Sequence, residues 1–149
     1  MNRLKIITYP ADFTLKYYND MMKDGKLQML DFTGHYNWSV EKASKFVESF
    51  LLGLPLSNII LYKDIELGET FIVDGKERIH SIVAFLSGTL RLCGVHETWN
   101  NKKFDDLSVE DQEKLNTLIL RAIIILNYNH NKNINDLKPF FERYIDKIK

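Results

Sequence analysis

Between Glu69 and Leu86 the periodicity of the chain changes once, and abruptly. "ETFIVD" is a run of β-branched and aromatic residues and reads as a strand. Immediately beyond it, Ile79, Ile82, Val83 and Leu86 recur at helical spacing, and Gly88 supplies a stop. Little more than "DGKER" separates the two patterns. The chain must therefore turn from strand to helix at Asp74-Gly75, with the strand ending near Val73 and the helix running to about Leu86.

The rest of the sequence repeats this alternation. "SNIILYK" reads as a strand joined to "ETFIVD" by a charged, glycine-bearing turn. Ahead of it, Ala43, Phe46, Val47, Phe50 and Leu51 line one face of a helix with Ser39 as N-cap and Gly53 and Pro55 as its stop. Nearer the N-terminus, "ADFTLKYYNDMMKDGK" reads as a helix with Pro10 near its start and Gly25 at its end, after the short lead "LKIITY", and "LQML" as a strand. Further on, "TLRLCG" reads as a strand, and "VHETWNNKKFDD" as a polar connection with two buried anchors in Trp99 and Phe104. Ser108 and Asp111 resemble a capping box opening the helix "SVEDQEKLNTLILR", with "AIIILNY" a buried strand after it. The asparagine-rich "NYNHNKNIN" reads as a loop, and Leu137, Phe141, Tyr144, Ile145 and Ile148 mark a last amphipathic helix. Strands alternating with helices indicate an α/β or mixed α+β fold, a small sheet flanked by helices. At 149 residues with 45% hydrophobic content, one domain is expected.

Composition narrows the function classes. Twenty basic side chains balance twenty acidic ones, so any contact with DNA or another polyanion has to be local. A lone cysteine, Cys93, excludes an internal disulfide or a multi-thiolate zinc site. The four histidines at 35, 80, 96 and 130 have no ligand spacing, and no metal site is expected from the protein itself. No apolar run reaches the roughly 20 residues that span a bilayer and no signal-peptide core is evident, so a cytoplasmic protein without a membrane partner is expected.

The corner admits two readings of the same residues. Asp74 can N-cap the following helix with Glu77 three residues on, while Gly75 relaxes the junction. Alternatively, the helix N-terminus offers backbone N–H groups and a positive dipole to a phosphate, with Lys76 and Arg78 as charged donors. Asp74 would then hold a metal-bound water or a ribose hydroxyl. His80 faces either that pocket or the surface. Neither a Walker motif nor a "GxGxxG" occurs, and spacing supports no Ser/Cys–His pair.

The span from Tyr36 to Leu92 resembles the N-terminal domain of the GmrSD-type modification-dependent restriction enzymes, a family of the ParB/sulfiredoxin-like fold group. The resemblance rests on "YNW" (Tyr36 and Trp38), on "ESFLLGLP" (Glu48 to Pro55), and on "DGKER" where the family carries "DGQQR". The later "FFER" (Phe140 to Arg143) resembles the family's "FxRxN" segment. The resemblance implies nucleotide binding and hydrolysis at this corner, with magnesium accompanying the nucleotide and Asp74 as the catalytic candidate. Larger members couple the activity to an HNH nuclease that cuts modified foreign DNA; no nuclease motif lies in these residues. Three departures stand out: Lys76 and Glu77 replace the two glutamines, Thr33-Gly34 replaces "QR", and Ile145 stands where the asparagine is expected.

Phosphoryl transfer needs positioned donors, so these replacements lead us to expect binding with little or no turnover. Gly75, Lys76, Arg78, Tyr36, Trp38, His80 and Arg143 are the binding candidates. Tyr36 and Trp38 either stack on a base or belong to the core or a lid. Glu48 is expected to be solvated or hydrogen-bonded, and Arg143 either pairs on its own helix or reaches the pocket. Arg78→Ala is expected to weaken phosphate binding while barely altering folding. The rival readings are a silent module that docks a nuclease or other defence partner, and a DNA-binding protein.

Overall fold

The computed structural model describes residues 6–29, 36–127, 138–139 and 141–143. They form a mixed α/β structure around a five-stranded sheet of order β1-β5-β3-β4-β2. In chain order the elements are β1 (Ile6–Thr14), α1 (Leu15–Lys23), β2 (Leu27–Met29), α2 (Val40–Leu52), β3 (Ile59–Asp64), β4 (Glu69–Asp74), α3 (Lys76–Leu86), α4 (Val109–Thr117) and β5 (Ile119–Asn127). β5 pairs antiparallel with β1 and parallel with β3, β4 runs antiparallel to β3, and β2 runs parallel to β4.

Three expectations change. Ala11 to Thr14 are strand, not helix: β1 continues through them in register with β5, from Ile6 opposite Asn127 to Thr14 opposite Ile119. Pro10 is tolerated because β1 lies at the sheet edge, where a missing N–H costs least. The helix begins only after Thr14, whose hydroxyl accepts from the Tyr17 amide. Next, "TLRLCG" forms no strand. Its apolar spacing serves burial of Leu90 and Leu92 against the core, while the Leu92 backbone bonds to Lys102 and Asn101 and the Cys93 amide donates to the Ser44 hydroxyl. Finally, α4 stops at Thr117 and the strand starts at Ile119, because residues 119–121 are claimed by the ladder with β1. The other elements fall near their expected places. The expected loop after Asn127 lies outside the described residues, as do Leu137, Tyr144, Ile145 and Ile148 of the last helix.

Strand alternation divides the core in two. On the helix side, Ile59, Leu61, Ile72, Ala122 and Ile124 pack with Tyr18, Val47, Phe50, Ile79, Ile82 and Phe85. On the other side, Ile60, Tyr62, Phe71 and Val73 pack with Phe141. Each such side chain contributes roughly 1.5–3 kcal/mol by burial, whereas exposed pairs such as Lys16–Asp20 contribute at most about 1 kcal/mol, so the two apolar layers hold the sheet. Trp99 and Phe104 act as anchors but are half-buried rather than buried: the Trp99 indole donates to Asp111 at 3.0 Å and Phe104 packs edge-on against Phe85. Among the described residues no helix is long and apolar enough to cross a membrane.

Candidate functional site

The corner is built by a register shift. Tyr62 opposes Phe71 and Leu61 opposes Ile72, but Ile60 opposes Asp74, so Val73 is an extra residue in β4. Without this bulge, alternation would turn Asp74 toward the helix side of the sheet; with it, Asp74 and Ile60 both face one cleft. Gly75 follows at φ 107°, a left-handed conformation that disfavours any side chain. A Cβ there would meet Ile59 Cγ2 at 2.5 Å and Ile59 Cβ at 2.9 Å. Glycine is thus required by both backbone and packing.

The capping reading of the corner is overturned. Gly75 itself occupies the N-cap of α3, and no side chain caps the helix there. Asp74 ends β4 and points its carboxylate at Arg78, Oδ2 lying 3.4 Å from Nη2. The other guanidinium nitrogen, Nη1, donates to the Ser57 carbonyl at 2.6 Å and reaches the Asn58 carbonyl at 3.4 Å. Arg78 is therefore not a surface arginine: its side chain is only 16% exposed, and it ties the α2–β3 loop to the corner. Burial pushes its pKa below the ordinary guanidinium value, while the Asp74 charge and then that of Glu77 oppose the shift. From so high a starting value it remains a cation.

A cleft of about 540 Å³ opens beside this pair. Its lining combines a polar cluster, in which Arg78 gathers Ser57, Asn58 and Asp74, with the apolar side chains of Phe46, Leu56, Ile60 and Ile123. The volume lies within the range of small-molecule sites. Among the described residues no cluster of three acids, histidines or cysteines could hold a metal ion. Asp74 alone suits a magnesium ion that arrives with its ligand's phosphates, the usual mode for that ion.

Of the sequence candidates, Asp74 and Arg78 line the cleft together. Gly75 and Lys76 are buried at the corner behind them. Trp38 approaches through Phe46, its ring edge-on at 5.5 Å, and carries the Lys42 ammonium 5.0 Å above its own face. Tyr36 and His80 form a separate cluster, with rings 5.5 Å apart and the Tyr36 hydroxyl 3.2 Å from that of Ser81. His80 is half-buried; burial lowers its pKa, Glu77 opposes this, and Lys76 adds to it. Arg143 is exposed and not part of the cleft lining. Glu48 accepts from the His96 amide at 2.6 Å. Sequence reasoning missed Phe46 as a wall and Ser57-Asn58 as partners of Arg78. The polar pair between Pro55 and the β3 run was the available signal for the latter.

An acid at the last strand position, a glycine with no room for a side chain and an arginine in the first helical turn define a small α/β module with a ligand-sized cleft at a strand-to-helix corner. The chain belongs to the family described as GmrSD restriction endonuclease, N-terminal domain, which matches residues 20–148, and this makes it a restriction-defence related module. Neither the curated proteins nor the solved structures gave a match.

Proposed function

We propose that the chain binds a nucleotide or another phosphate-bearing ligand in the Asp74–Arg78 cleft and hydrolyses it little or not at all. The observation that carries this reading is the cleft's mixed lining, a polar cluster gathered by Arg78 beside apolar side chains. Phe46, Ile60 and Ile123 suit the flat face of a base, and Arg78 suits a phosphate. A guanidinium has five N–H donors, so contacts with two carbonyls and one carboxylate leave donors for a ligand. Asp74 would take a ribose hydroxyl or a water on a nucleotide-borne magnesium ion. When bound, that ion would neutralise phosphate charge. Lys76 and Glu77 stand where the family's glutamines would position the reacting phosphate, which supports binding without turnover.

The test is thermal unfolding with a nucleotide panel, with and without magnesium, followed by phosphate-release assays. A ligand at a hundred times its Kd stabilises by about 2.7 kcal/mol, enough to raise the Tm by several degrees. We expect such a rise and no release, with release gained at most in a Lys76→Gln, Glu77→Gln double variant. Robust release by the unaltered chain would sink the claim of silence. No shift with any nucleotide would favour the second reading, a partner-docking module. That reading has its own support, since Arg78 already works as a brace for the 57–58 loop.

A further inference from the structure

On the opposite, helix-bearing face of the sheet lies a trough of about 640 Å³. It crosses all five strands, from Ala11 on β1 past Ile124, Leu61 and Thr70 to Leu27 on β2, with α1 along one side. Alternation separates it from the corner cleft: Leu61 and Ile124 face the trough, while their neighbours Ile60 and Ile123 face the cleft. Among the described residues the two share no lining residue.

Its chemistry is also different. Phe13 and Tyr17 stack at 4.4 Å with their planes 10° apart, making an aromatic wall, and Tyr17 remains 40% exposed. Lys26 and Lys63 stand at the rim, both exposed, and neither makes an ion pair among the described residues. Among the described residues no carboxylate lines the trough. Two cations facing an acid-free apolar hollow select an anion with an apolar body. The aromatic wall comes from residues ahead of those matched by the family.

We propose that this trough is a second binding site, for a small ligand with a flat aromatic body and a single anionic head group. The ring lies against Phe13 and Tyr17 over Leu61 and Ile124, and the head reaches Lys26 and Lys63. Lysine ammoniums are point charges without a fork, so the trough accepts a carboxylate or a phosphate head.

Three probes with one ring separate these terms: 1-naphthoate, 1-naphthyl phosphate and uncharged 1-naphthol, each titrated by calorimetry. Both anions are expected to bind with Kd at or below about 1 mM and more tightly than naphthol. The ratio of the two anions shows which head is preferred. Lys26→Ala with Lys63→Ala should weaken both anions at least about fivefold and leave naphthol unchanged, while Tyr17→Ala should weaken all three. ATP should not displace them, which keeps this result separate from that at the corner cleft. Absence of binding at about 1 mM, anion affinity unchanged in the double lysine variant, or displacement by ATP would overturn the proposal.

Discussion

The two openings lie on opposite faces of one sheet and solve the placement of charge in opposite ways. At the corner, the cation and anion are satisfied within the protein: Arg78 holds Asp74 and the 57–58 carbonyls. In the trough, Lys26 and Lys63 look onto apolar walls and solvent. A ligand at the corner must share an arginine that braces the fold, using the donors those bonds leave free, whereas one in the trough meets cations that brace nothing. Binding and stability are therefore coupled on one face and separable on the other.

The strongest way to break this comparison is Gly75→Ala. Its Cβ would collide with Ile59 in a conformation already unfavourable for alanine, so we expect a loss of about 3 kcal/mol or more in urea unfolding. The trough should survive in the molecules that remain folded. A loss under about 1 kcal/mol would mean that the corner backbone relaxes freely. Arg78→Ala comes next. It removes charge-assisted bonds to carbonyls in a largely buried setting, and should cost about 1.5–3 kcal/mol together with any phosphate affinity. That replaces the expectation of a folding-neutral variant. Unchanged stability with lost binding would restore it.

A smaller effect is expected from pH. Burial holds the His80 imidazole below its ordinary value of about 6.5, so the unfolded chain binds the proton more readily. The stability His80 contributes is complete above about pH 6.5 and is lost as pH falls through the lower folded value. Urea midpoints at pH 7 and pH 5 should therefore diverge more in the native chain than in His80→Gln; equal divergence would place the titration elsewhere. Smallest of all should be the effect of Lys26→Ala with Lys63→Ala on unfolding, within about 0.5 kcal/mol. A larger loss would show that these lysines brace the fold after all.

Much of this was legible in the sequence because it depends on local periodicity. The strand-to-helix change at Asp74-Gly75, the α2 face from Ala43 to Leu51 and the β3–β4 hairpin all needed only neighbouring residues. What was not legible depended on partners far along the chain. Ala11 to Thr14 resemble the start of a helix until β5 pairs with them. Leu90 and Leu92 resemble a strand although no neighbouring strand accepts them. The extra Val73, which turns Asp74 into the cleft, exists only in the pairing of β4 with β3. Arg78 was recognised as a candidate, but the carbonyls that hold it are contributed by a loop 21 and 20 residues away.

An interior strand of the sheet, β5, is also the last of the described strands to be synthesised. β1 precedes the other described strands, yet its pairing partners arrive only with β5, and the bond from Tyr18 to Leu120 spans 102 residues. Until then β3, β4 and β2 can assemble from nearby sequence, but β3 presents a bare edge and β1, with Ile6, Ile7 and Tyr9, waits unpaired. Contacts closed over such long loops form slowly, and exposed strand edges in the interval invite pairing with other chains. A nascent chain halted before Ile119 would lack not a margin of the sheet but the strand that joins β1 to the rest.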